Sequence, residues 1–186
     1  KTRFGNLGNI LDFDNLTEEN IYVLDSPILT NSQFKKFKKF FSKKVKVIDC
    51  TFDIERSLKE RIELIREESE TAVREGSTCL ILSDKNISNQ RASIPSIVTV
   101  GAIHSHLVKH GLRGYCSLNV ECSDAMDTHS FAILIGVGAT TVNPYLAIDS
   151  IYQRFEKKLF GKSDFETCVS KFKKSIDAGL LKIMSK

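Results

Sequence analysis

Thr78-Cys79-Leu80-Ile81-Leu82 is an uninterrupted apolar run of strand length. A strand with one wet face alternates apolar and polar residues, whereas one covered on both faces need not. This run therefore reads as a buried strand of a parallel sheet, and its surroundings agree. Upstream, Val45-Lys46-Val47-Ile48-Asp49-Cys50-Thr51-Phe52 reads as a second strand, joined to the first by a long helix over 54–75. Ile54, Leu58, Ile62 and Ile65 recur on one face of that helix, and Gly76 stands where a helix ends. Downstream, 83–93 is a polar loop, and Pro95 opens a helix that reaches His110 and stops at Gly111. Tyr115-Cys116-Ser117-Leu118-Asn119-Val120 is the next strand, then come a helix over 125–135 and a short strand at Thr140-Thr141-Val142. Helices over 145–159 and 164–184 finish the chain.

Toward the other end, 1–20 carries scattered Gly, Asn and Asp and reads as an extended lead-in segment. Ile21-Tyr22-Val23-Leu24 is a short strand stopped by Asp25-Ser26-Pro27. Asn31 or Ser32 can cap a helix through Phe41, with Phe34, Phe37 and Phe41 at helical spacing and lysines between them. Strand and helix thus alternate about four times, which implies a mostly parallel sheet covered by helices, with right-handed crossovers. Eight such units make a complete barrel. The expected fold is therefore α/β, a partial or degenerate TIM-barrel-like domain over 21–186.

A chain of 186 residues buries roughly 68–75% of its unfolded surface, so its core needs no staples. At 41% hydrophobic and 27% charged, with three prolines, it is globular rather than disordered. The longest apolar run, 131–137, is too short to cross a bilayer and is interrupted by Gly136. Lys1-Thr2-Arg3-Phe4-Gly5 has neither an initiator Met nor a leader-like pattern, and reads as the start of a processed or excised product. Cys50, Cys79, Cys116, Cys122 and Cys168 are scattered, with no CxxC pair, and read as small buried hydrophobes in a reducing, intracellular compartment, cytoplasm or plastid.

Four constellations invite a chemical reading. His106 and His110 would share a helical face, but no Glu stands beside His106 as in HExxH and no third ligand is spaced for them, so no metal is expected. Gly136-x-Gly138 precedes a strand, whereas a dinucleotide fingerprint follows one, and better serves to end a helix. The lysine-rich stretch holding Lys35, Lys36, Lys38 and Lys39 could face nucleic acid or membrane, but phenylalanines packed inward with lysines solvated explain it more simply. Asp49, Ser83, Asp84, Glu121 and Asn143 fall at the C-terminal ends of the strands, where α/β proteins place their sites, without an evident nucleophile–base pair.

Several stretches, however, resemble one family. Leu24-Asp25-Ser26-Pro27-Ile28-Leu29-Thr30-Asn31 is similar to the motif that opens the central domain of glutamate synthases. Leu80-Ile81-Leu82-Ser83-Asp84, Ile94-Pro95-Ser96, Val100-Gly101-Ala102-Ile103-His104 and His110-Gly111-Leu112-Arg113 resemble the same family in order. So do Phe131-Ala132-Ile133-Leu134-Ile135-Gly136-x-Gly138-Ala139, Val142-Asn143-Pro144-Tyr145-Leu146-Ala147 and Ala178-Gly179-Leu180-Leu181-Lys182-Ile183-Met184. Similarity weakens between Tyr152 and Ser170. The family also often carries consecutive histidines where this chain has His104-Ser105-His106 and Thr128-His129.

The resemblance implies a connecting domain of an enzyme that makes glutamate from glutamine and 2-oxoglutarate. In that family an N-terminal amidotransferase domain releases ammonia, and a tunnel carries it to a flavin barrel where FMN and an iron–sulfur cluster reside. The expected partners are those two domains of the same polypeptide, with no nucleic acid and no membrane. No cofactor and no catalytic residue are expected within 1–186, because both active centres would lie outside it. Thr30 and Asn31 are, by the same resemblance, candidates to line the ammonia path; alternatively they only cap the lysine-rich helix. Rival readings are a stand-alone α/β enzyme with a phosphorylated or carboxylate ligand at the strand ends, or a basic nucleic-acid- or membrane-binding module.

Overall fold

A computed structural model describes residues 2–4 and 22–186. Apart from Thr2–Phe4, the expected lead-in segment lies outside the described residues. In chain order the elements are β1 (Thr2–Phe4), β2 (Tyr22–Leu24), α1 (Asn31–Phe41), β3 (Val45–Asp49), β4 (Thr51–Asp53), α2 (Leu58–Arg74), β5 (Cys79–Ser83) and β6 (Arg91–Ser93). Then follow α3 (Ser96–Lys109), β7 (Ser117–Glu121), α4 (Thr128–Gly136), β8 (Thr141–Asn143), α5 (Tyr145–Glu156) and α6 (Phe165–Met184).

The centre is a four-stranded parallel sheet in the order β3-β5-β7-β8, the sequential neighbour order of a barrel wall. The chain at 27–29 extends it, bridging beside β8 through Leu29 N–H to Val142 O and Val142 N–H to Pro27 O, both 2.9 Å. The fold is the expected α/β partial barrel. β5 is buried at every position, as its unbroken apolar run requires.

The pleat sorts the strand residues onto two faces. Ile48, Leu80, Leu82, Leu118, Val120 and Val142 point to one side, where residues of α2, α3, α4 and α6 complete the main core. Cys79 and Ile81 point to the other, beneath Leu29, Phe34, Phe37 and Phe41. In a complete barrel the opposite strands would fill that concave side; here α1 fills it. The dimensions fit: an 11-residue helix is about 16 Å long, and four inter-strand steps from 27–29 to β3 span about 19 Å. Phe34, Phe37 and Phe41 are buried while Lys35, Lys36 and Lys39 face solvent, as the simpler reading of the lysine stretch requires.

Several boundaries differ from the sequence reading. The strand expected over Val45 to Phe52 breaks at Cys50 into β3 and β4, and β4 leaves the sheet to pair antiparallel with β6 inside the expected loop. α2 starts at Leu58, capped by Ser57, and its buried face is Ile65, Ser69, Ala72 and Val73. Ile54 lies in the turn before the helix, and both it and Leu58 are exposed. Asp127, accepting from Ser130 N–H, delays α4 to Thr128. Gly76 does end α2, with φ at 96°. No helix among the described residues is long and apolar enough to cross a membrane.

Candidate functional site

The parallel register sets Asp49, Ser83, Glu121 and Asn143 in one row across all four strands at their C-terminal ends. The strand-end position is the one expected from sequence; odd positions of β5 and β7 face α1, so the row lies on the α1 side of the sheet. Glu121 is 4% exposed and anchors it. Ser83 Oγ donates to its Oε2 at 2.7 Å, and Lys85 Nζ lies 2.9 Å from Oε1. Lys38, reaching down from α1, adds a third contact at 3.5 Å. Burial pushes the Glu121 carboxyl up, but the bonds from Lys85 and Ser83 and the charge of Lys38 outweigh it and hold it below the ordinary range. It is an ionised anchor with its oxygens occupied, poorly suited to exchange protons near neutrality.

Of the flanking carboxylates, Asp49 is spoken for in the same way, while Asp84 is bonded through Oδ2 and its buried Oδ1 has no hydrogen-bond partner among the described residues. Asp49 accepts from Thr51 N–H (2.9 Å), Thr51 Oγ1 (2.7 Å), Asn86 Nδ2 (3.1 Å) and Arg91 Nη2 (3.0 Å). Asp84, 2% exposed, accepts from Ser123 N–H (2.9 Å) and Ser123 Oγ (2.6 Å). Burial, then a hydrogen bond to Asp84, push the Tyr145 hydroxyl well above its usual value. These bonds tie the loops after β3, β5 and β7 to each other and to the start of α5. Lys38, Lys85 and Tyr145 had no signal in the sequence that joined them to the row.

Thr30 and Asn31 lie beside its Asn143 end. Thr30 is the cap of α1: its Oγ1 accepts from Gln33 N–H (3.3 Å) while Gln33 Oε1 accepts from Thr30 N–H (3.1 Å), a reciprocal capping box. Of the caps offered by the sequence, Thr30 is the one formed, and not Asn31 or Ser32, because only from Thr30 does Gln33 sit at the position that closes the box. Asn31 instead accepts from Asn143 Nδ2 at 3.0 Å and donates to Asp149 Oδ1 at 3.4 Å. Asn143 Nδ2 also donates to Leu29 O at 2.9 Å. Asn143 is 1% exposed, and its Oδ1 has no hydrogen-bond partner among the described residues. Thr30 and Asn31 line a cleft of about 790 Å³ together with Asp149, Tyr152, Phe165 and Lys173.

The cofactors of the resembling family do not fit these residues. All five cysteines are free and buried. Burial pushes the thiols of Cys50, Cys116 and Cys122 up and that of Cys79 to about 12, which disfavours the thiolates an iron–sulfur cluster needs. A flavin phosphate at the strand ends would have to displace Glu121 from Lys38 and Lys85. His104, the first of the tempting histidines, is packed at the opposite end of the sheet against Arg113 and Gly138.

Residues 1–186 match the glutamate synthase central domain family over their whole length. The chain is 47% identical to the glutamate synthase [NADPH] large chain of Azospirillum brasilense, all of this chain aligning with 12% of that one. It is 40% identical to the glutamate synthase [NADPH] large chain of Bacillus subtilis, with 88% of this chain and 11% of that one aligned. Against the ferredoxin-dependent glutamate synthase of spinach, described as chloroplastic, identity is 34% over all of this chain and 12% of the relative. The chain therefore spans about one-eighth of the curated relatives it matches, and it belongs to the glutamate synthase central domain family.

Proposed function

We propose that this domain is the connecting piece of a glutamate synthase, joining a glutaminase domain to an FMN-binding domain and lining the path of ammonia between them. FMN and the iron–sulfur cluster would belong to other parts of that polypeptide, and the compartment would be reducing. Beyond the family match, one observation carries the reading: the buried Asn143 Oδ1 has no hydrogen-bond partner among the described residues, and Asn143 is bonded through Nδ2 to Asn31, which lines the cleft. A buried acceptor without a donor costs about 1–3 kcal/mol. Neutral ammonia supplies N–H donors of the right size, and the side chains of Asn31 and Asn143 offer hydrogen bonds from amides, which carry no charge.

The test is Asn31→Asp in the full enzyme. Asp in the first helical turn suits the helix dipole and keeps the acceptor that Asn143 uses, so α1 should persist. It also places a second carboxylate beside Asp149, which favours ammonium over ammonia. Glutamine-dependent glutamate synthesis should fall several-fold relative to synthesis from added ammonia, at unchanged Tm. A ratio of the two rates unchanged from that of the parent enzyme would leave Asn31 as a helix residue only.

A further inference from the structure

We infer that Glu70, His106 and His110 form a divalent transition-metal site that clips α2 to α3. His106 and His110 are one turn apart at the end of α3, and the third ligand absent from their own helix comes from α2. Among the described residues these three are the group of His, Cys, Asp and Glu whose ligand atoms all lie within 4.8 Å of one another. His106 Nε2 is 2.7 Å and His110 Nδ1 3.7 Å from the same oxygen, Glu70 Oε2, and the two rings lie 4.3 Å apart. Tetrahedral zinc with bonds of about 2.0–2.2 Å sets its ligand atoms about 3.4 Å apart. Small rotations of the partly exposed side chains span the difference; the proton shared by His106 and Glu70 gives way to the ion, and His110 Nδ1 loses its proton with the 2.8 Å hydrogen bond it donates to His106 O.

The surroundings support the ligand set. Arg74 holds the other Glu70 oxygen, Oε1, from Nε at 2.9 Å and Nη2 at 2.7 Å, which leaves Oε2 directed at the histidines. Ligating carboxylates are usually oriented by such an outer hydrogen bond. Two imidazoles, one carboxylate and an open fourth position for water suit zinc, cobalt or nickel and not magnesium or calcium, which prefer all-oxygen shells. The site lies on the outer helical layer, apart from the strand-end row, and its role would be to fix the packing of α2 on α3.

Cobalt(II) titration of the 186-residue chain tests this, because its visible absorption reports coordination. One equivalent should give the intense bands of a four- or five-coordinate nitrogen–oxygen site, displaced by zinc. His110→Ala and Glu70→Gln should each weaken binding at least tenfold, while His129→Ala, on α4, should leave it unchanged. Saturating zinc at a hundredfold excess over Kd should raise Tm by about 5–10 °C. Sulfur-to-cobalt charge-transfer bands, or spectra indifferent to His110→Ala and Glu70→Gln, would overturn the assignment.

Discussion

Three groups meet where Gly138 passes beneath α3. Its φ is 122°, and a Cβ there would lie 2.3 Å from His104 Nδ1. Arg113 locks the arrangement, donating from Nε to His104 Nδ1 (3.1 Å), from Nη1 to Cys116 O (2.6 Å) and from Nη2 to Gly138 O (2.8 Å). Gly138→Ala should therefore cost about 2–4 kcal/mol, through backbone strain and displacement of the imidazole, measured by denaturant unfolding. Burial, then the Arg113 charge, hold the His104 pKa below its usual 6.5. The unfolded chain consequently takes up a proton first, and stability present above pH 6.5 should decline as pH falls toward the folded value. His104→Gln, which can still accept from Arg113, should flatten that part of the profile; an unchanged slope would dismiss His104 as its source. Glu121, with its pKa lowered, loses its contribution only further down, as pH falls through the folded carboxylate value. The strand-end row was legible because strand ends can be counted along a sequence. Its partners Lys38 and Tyr145 were not, since they arrive from helices whose rotation no single sequence specifies.

Packing of α6 divides its apolar residues into two kinds. Phe172, Ile176, Leu180 and Ile183 follow one another at helical spacings of four, four and three, yet Leu180 is 7% exposed, within the main core, while Ile183 is 51% exposed. Leu180→Asp should cost more than about 3 kcal/mol by burying an unpaired charge, and Ile183→Asp less than about 0.5 kcal/mol in this chain. Thermal unfolding of the pair decides whether the stripe is core along its full length. Just before Leu180, α6 approaches α4 so closely that a Cβ on Gly179 would lie 2.5 Å from Thr128 Cγ2. Gly179→Ala should destabilise, and adding Thr128→Ala should recover part of the loss; strict additivity of the two would contradict that contact. Periodicity misjudged the start of α2: Ile54 keeps helical spacing with Leu58 but lies in the turn before the helix, and both are exposed. It was blind to β6, because Arg91-Ala92-Ser93 has neither apolar alternation nor β-branched residues.

Across the whole molecule, the sheet is a barrel wall that does not close, with a single helix in place of its missing half. That substitution makes the strand ends a polar seam under α1 rather than an open mouth. It also brings the start of α1, with Thr30 and Asn31, to the Asn143 end of the row. A count of βα units was enough to expect an incomplete barrel. Nothing in the sequence foretold that α1 would occupy the concave side, because its three phenylalanines fit a position on either face. The connecting role stands or falls with whether nitrogen passes this seam without mixing with solvent. The most direct measurement is isotope competition in the full enzyme, supplying amide-15N glutamine with excess unlabelled ammonium. The parent enzyme should keep 15N in the newly formed glutamate, while Asn31→Asp should lose a large share of it to 14N at unchanged glutaminase activity. Equal 15N retention in the two would contradict an ammonia path along Thr30 and Asn31.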